Sequence, residues 1–98
     1  MRSPASFHRL AERELNEAAD YYEVESPGLG AAFLDEVARC VRAITESPQA
    51  GAVILAEARR RLVARFPYAV IYRVGPDCIR ILAVMNLHRR PGYWVGRE

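Results

Sequence analysis

"CIRILAVM", Cys78–Met85, is the run on which the fold turns. It is rich in branched residues and follows the turn residues Gly75, Pro76 and Asp77, so it reads as a strand. Alternation places Ile81, Ala83 and Met85 on one face and Leu82 and Val84 on the other. Both sets are apolar, the mark of a strand covered on two sides. Two further strands precede it. "AVIYRV" follows Pro67 and Tyr68, and "RRLVARF" sets Arg61, Val63 and Arg65 against Leu62, Ala64 and Phe66. "VILA", after Gly51, is another candidate. With turns this short, the last strands form an antiparallel meander.

Upstream the period changes from two to about 3.6. Leu10, Leu15, Ala18, Ala19 and Tyr22 recur at helical spacing, with Glu12, Arg13, Glu17 and Asp20 between them. That predicts an amphipathic helix from Arg9 to near Glu25. "SPGLG" breaks it, with Ser26 expected to cap the next helix and Pro27 to open its first turn. The second helix carries Leu29, Phe33, Val37, Cys40, Val41 and Ile44 on one stripe and stops at Ser47 and Pro48. "ASFH" is a short first strand. The expectation is one α+β domain over residues 1–98, in the order β-α-α-β-β-β. A helical hairpin packs on one face of a small antiparallel sheet, and residues 88–98 form a C-terminal tail. Two helices cover only one face of such a sheet. Leu82 and Val84 therefore need other cover, from a tail that folds back, a curled sheet or, as expected here, a partner.

Ninety-eight residues hold one core, and 51% apolar with 27% charged is ordinary for a soluble globular chain. No apolar run is long enough to cross a bilayer, and "MRSPASFHRL" lacks the apolar core of a signal peptide, so a cytoplasmic protein without membrane contact is expected. Cys40 and Cys78 sit among apolar residues and suit free thiols. With two histidines and no Cys-x-x-Cys, neither a metal site nor a cofactor is expected. Charge is unevenly spread. Residues 1–49 hold nine acids and five arginines, whereas residues 50–98 hold three acids and nine arginines, and lysine is absent. A basic half favours an acidic partner, either nucleic acid or protein.

The chemistry-bearing residues concentrate in that half. Arg59, Arg61 and Arg65 fall on one face by alternation and make a patch for phosphates or for the carboxylates of a partner. Charges on a strand rim also discourage edge-to-edge aggregation. The tail "NLHRRPGYWVGRE" packs His88, Arg89, Arg90, Tyr93, Trp94 and Arg97 together. Arginines bind phosphate bidentately, Tyr or Trp stacks on a base, and His or Tyr can move a proton in RNA cleavage. The plainer reading is that Tyr93 and Trp94 anchor the chain end to the sheet. No nucleophile motif, phosphate-cradling glycine loop or helix-turn-helix pattern is present.

"ELNEAADYYEVESPGLGAAFLDEV", "ITESPQAG", "RRLVARFPYAVIYRV" and "IRILAVMNLHRRPGYW" together resemble the RelE/ParE superfamily of toxins from type II toxin–antitoxin modules, over about residues 7 to 94. The resemblance implies a growth-inhibiting toxin neutralised by a cognate, ParD-like antitoxin that wraps it. It offers two activities. RelE-like members cut messenger RNA on the ribosome without metal, and ParE-like members block DNA gyrase. RelE-like nucleases resemble "YRLVY" in the penultimate strand, where the arginine contacts the scissile phosphate. This chain reads "YAVIY", with Ala69 at that position, which favours the gyrase branch. In the nuclease alternative His88, Arg90 and Tyr93 are the catalytic candidates. Under the resemblance the expected target-binding residues are Arg59, Arg61, Arg65, His88, Arg89, Arg90, Tyr93 and Trp94. Leu82, Val84, Arg61 and Arg65 are expected to meet the antitoxin. A small non-toxic interaction module is the remaining alternative.

Overall fold

The computed structural model describes residues 4–98. The first three residues of the segment read for a leader lie outside it. Strand β1 (Ala5–Phe7) leads into helix α1 (Arg9–Glu25), whose start is capped by His8 Nδ1 accepting from the Leu10 N–H at 3.0 Å. Helix α2 (Leu29–Glu46) follows, then the short strand β2 (Ala52–Val53) and the strands β3 (Arg59–Leu62), β4 (Tyr68–Val74) and β5 (Ile79–Asn86). No helix among the described residues is long and apolar enough to cross a membrane.

The break between the helices works differently from the sequence expectation. Ser26 ends α1, its N–H donating to the Tyr22 carbonyl, and the N-cap of α2 is Gly28 at φ 89°. Gly28 has no side chain to cap with. The Glu23 carboxylate reaches across instead and accepts from the N–H groups of Gly28 and Gly30 at 2.9 and 3.0 Å. Gly30 also sets how closely the helices approach. A Cβ there would lie 2.5 Å from the Ala19 carbonyl oxygen in α1. Gly30→Ala must push the hairpin apart, and we expect a loss of about 2 kcal/mol despite the gain in helix propensity. A urea midpoint that stays put or rises in Gly30→Ala would contradict the packing.

The sheet runs β1-β5-β4-β3-β2. Strands β2 to β5 are antiparallel neighbours, as the meander predicts, but β1 pairs parallel with β5, so the sheet is mixed. Strand β5 is therefore interior, with a neighbour on each side. Its faces are not those of simple alternation. Ile71 pairs with Ala83 and Tyr72 with Ile81, so Leu82 has no partner and forms a bulge. A bulge adds one residue and resets the alternation beyond it. Ile79, Ile81 and Val84 face the helices together with Val70 and Tyr72 of β4, and form one core with Phe33, Val37 and Ile44 of α2. Leu82, Ala83 and Met85 share the other face with Ala58, Ala69 and Ile71. Leu82 and Val84 are thus on opposite sides, and both are buried.

The cover for the second face comes from the chain itself. Trp94, only 2% exposed, plugs it. After β5 the tail folds back through successive turns, with Gly92 and Gly96 in the left-handed region at φ 80° and 98°. No partner is needed to bury this face. Two strand expectations also change. "VILA" supplies one residue of β2 and then a tight loop from Ile54 to Ala58, with Ala56 and Glu57 at φ 54° and 60°. "RRLVARF" leaves the ladder after Leu62, and Arg65, at φ 72°, lies in a turn where its guanidinium reaches Glu36 of α2 at 3.6 Å.

Candidate functional site

The bulge at Leu82 leaves backbone groups outside the ladder, and a buried backbone group must find a partner. Two side chains from opposite ends of the sequence supply them. Glu14 Oε1, on α1, accepts from the Val84 N–H at 3.1 Å, and Arg97 Nη1, on the tail, donates to the Leu82 carbonyl at 3.0 Å. The two side chains also pair with each other through two contacts of 3.1 Å, Arg97 Nη1 on Glu14 Oε1 and Nη2 on Oε2. Their side chains are 14% and 16% exposed, so this pair is weakly screened. Helix, bulge and tail are fastened at one point.

Tyr93 stands against this fastening. Two guanidiniums pack on its ring, Arg89 with Cζ 4.0 Å and Arg97 with Cζ 5.1 Å from the centroid. Burial, and then the charge and hydrogen bond of the Glu14 carboxylate, push its phenol well above the ordinary tyrosine range. At neutral pH Tyr93 keeps its proton. A cleft opens beside it, lined by Glu17, Tyr21, Tyr68, Asn86 and Arg89. His88 and Arg90 are exposed on the turn that precedes it, and the His88 N–H donates to Asn86 Oδ1 at 2.9 Å.

The expected site residues are therefore scattered rather than assembled. Arg59 and Arg61 lie on the helix side of β3, opposite Tyr72 and Val70. Arg59 is used locally, donating to the carbonyls of Gln49 and Gly51 and to Gln49 Oε1. Arg65 is held at Glu36. His88, Arg89 and Arg90 are exposed, Tyr93 is half-buried, and Trp94 belongs to the core instead of a target surface. Leu82 and Val84, expected to meet an antitoxin, are 0% and 2% exposed. Cys40 and Cys78 are free thiols. Cys40 packs its Sγ 3.6 Å from the Leu62 carbonyl at the sheet edge, and burial lifts its pKa to about 11. Sequence reading missed Glu14. Nothing local marks it, because its partner is in the last turn of the chain. It also passed over Leu55 and Leu87, which the fold leaves exposed, with Arg60, on the tail side of the sheet.

The profile of the ParE toxins of the type II toxin–antitoxin system parDE matches residues 5–91, nearly the whole domain. The chain belongs to the ParE toxin family. The ParE-type match stops short of Trp94 and Arg97. A Sinorhizobium fredii (strain NBRC 101917 / NGR234) protein named "Putative toxin Y4kP" is 33% identical over 79 residues, 80% of this chain and 81% of the relative. The fold is also that of a chain from a solved structure titled "Chromosomal ParDE TA system from P. aeruginosa", with a TM-score of 0.77 at 20% identity, covering 87% of this chain and 96% of that one.

Proposed function

We propose that this ParE-family toxin stops growth by acting on DNA gyrase, without cutting RNA, and that a ParD-like antitoxin neutralises it. The observation that carries the gyrase branch is Ala69. It is fully buried in the second core, against the tail. At the position where the resemblance puts an arginine on the scissile phosphate of RelE-like nucleases, this chain offers neither charge nor hydrogen bond. The loss of such a contact to a developing charge slows a reaction by about a hundredfold or more. Tyr93 supports the same reading. Its ring packs against two arginines, and its raised pKa opposes service as a base. The antitoxin reading rests on the family and on surface chemistry. Tyr21, Val24 and Leu34 on the helices and Leu55, Leu62, Leu87 and Val95 on the tail side remain exposed. Such residues give a binding protein places to seat.

The test runs two reactions side by side. Purified toxin is added to a gyrase supercoiling assay and to a translation reaction monitored for mRNA cuts. Supercoiling should fall with toxin and return when the cognate antitoxin is added, while the message stays intact. Robust cuts in the message that disappear in His88→Ala, with supercoiling untouched, would overturn the proposal in favour of a ribosome-dependent nuclease.

A further inference from the structure

The edge of the molecule where α2 meets β3 carries guanidinium groups from three elements. Cys40 of α2 packs its Sγ 3.8 Å from the Arg61 carbonyl, which sets the strand against the helix. One turn earlier in α2, a single carboxylate serves two arginines. Arg39 Nε lies 3.7 Å from Glu36 Oε1, and Arg65 Nη1, from the turn after β3, lies 3.6 Å from Glu36 Oε2. Both separations exceed a good hydrogen bond, so the donors of the two arginines stay available to another oxygen. The Glu36 side chain is 11% exposed, whereas those of Arg39 and Arg65 are 71% and 61% exposed. The anion thus lies beneath and the cations face outward.

Arg61 adds a third cation. It sits on the helix side of β3 and joins no ion pair among the described residues. Burial lifts the Cys40 thiol, and the charge of Arg61 opposes that rise, which puts the guanidinium beside α2. Arg65 reaches the same side through backbone strain. Its φ of 72° is one that a non-glycine residue keeps only where its surroundings impose it. At the other end of β3, Glu57 shares a cleft with Arg59 and Arg73 and pairs with neither. Three outward cations therefore surround one sunken carboxylate at the α2–β3 edge.

We propose that this edge binds the phosphate backbone of duplex DNA, with Arg39, Arg61 and Arg65 each meeting a phosphate. Glu36 is a positioning residue that holds two of the three guanidiniums in place. Guanidinium donors suit phosphate oxygens, and phosphate contacts need no base readout. An acidic protein fits less well, because the edge lacks an apolar anchor. Leu62 points to the tail side of the sheet, and Leu34 lines a groove on the other side of α2 with Phe7 and Leu15. Single-stranded nucleic acid fits less well because its grip relies on stacked aromatics. The aromatic ring at this edge, Phe66, is half-buried against Tyr22 and Phe33 and lies under the Arg65 guanidinium, with Cζ 5.7 Å from its centroid. Duplex binding goes beyond the gyrase reading and is measured with gyrase absent, so either can fail alone.

The full chain is titrated into a short fluorescein-labelled DNA duplex, and anisotropy is followed over a range of salt concentrations. Binding should saturate at low salt. Three phosphate contacts predict that log K falls against log salt with a slope of about −2.7. Arg61→Gln and Arg39→Gln should each weaken binding about fivefold and make the slope shallower by about 0.9. Arg39 is well exposed, so Arg39→Gln should melt like wild type and keeps the test open if Arg61→Gln is destabilised. Arg9→Gln is the charge-matched control. Arg9 is exposed at the start of α1, beside the opposite edge of the sheet, and its loss should change the slope little. Absence of saturable binding overturns the inference. So does an Arg9→Gln chain weakened as much as Arg39→Gln, which would reduce the effect to net charge. Tighter binding of a single-stranded RNA of the same length, or of polyglutamate, would assign the edge to another partner and overturn it as well.

Discussion

A chain stopped after Leu87 should show no cooperative melt. The tail removed by that stop carries Trp94, and Trp94 is what keeps Ala69, Ile71, Leu82, Ala83 and Met85 out of water. It also carries Arg97, the donor to the Leu82 carbonyl at the bulge. Trp94→Ala alone opens a cavity in the second core and should lose about 3–5 kcal/mol. A domain of this size holds only about 5–15 kcal/mol in total. The point variant should therefore melt far below wild type, and the truncated chain, which loses the plug and the bulge contacts together, should not fold. Circular dichroism melts of the three chains check this. A truncated chain with a wild-type transition would show that the tail is a surface appendage. Growth assays on truncated chains then need care, because lost toxicity would report lost folding.

The helical hairpin was legible in the sequence because helical periodicity is local. Phe33, Val37, Cys40 and Ile44 recur on one face whatever else the chain does, and all four are buried. The last three strands were legible for the same reason, and the two apolar faces of β5 announced an interior strand. What could not be read is register. The bulge at Leu82 depends on how β4 and β5 align across the Ile71/Tyr72 shift, and no residue in "RILAV" signals an extra position. One inserted residue moved Val84 to the helix side and broke the expected Leu82–Val84 pair. Backbone strain was equally silent. Ala56, Glu57 and Arg65 take left-handed conformations that sequence assigns to glycine or asparagine. Arg65 therefore never reached the strand face that alternation gave it. The tail misled through composition. Arginine, tyrosine and tryptophan are the residues of binding surfaces, yet Trp94 and Arg97 are spent on the core and on the bulge. Only His88, Arg89 and Arg90 stay where the expectation put them, at the surface. The residues best placed to meet a partner on this side are leucines and one arginine, Arg60, that carried no motif.

Glu14→Ala should destabilise the chain by about 3 kcal/mol, more than any surface carboxylate of α1. The change strips two of the three hydrogen bonds from a guanidinium whose side chain is 14% exposed, and it orphans the Val84 N–H. Removing one member of a mostly buried pair leaves the survivor with its desolvation penalty uncompensated. Arg97→Ala should be milder. The carboxylate it leaves behind still accepts from the Val84 N–H. The double variant Glu14→Ala/Arg97→Ala should therefore be only slightly less stable than Glu14→Ala alone, and the cycle should return a coupling of about 2 kcal/mol. Swapping the charges, Glu14→Arg with Arg97→Glu, separates two explanations. A simple ion pair would be restored by the swap. A pair that exists to satisfy the bulge would not, since an arginine cannot accept from the Val84 N–H and a glutamate cannot donate to the Leu82 carbonyl. We expect no rescue. Ultraviolet titration of Tyr93 provides a second readout. Without Glu14 its phenol should titrate at lower pH, though still above the ordinary value because burial is the larger cause of its shift. Urea melts that show full recovery in the swapped chain, together with an unmoved phenol titration in Glu14→Ala, would mean that the tail is held by Trp94 alone and that the fastening at the bulge is incidental.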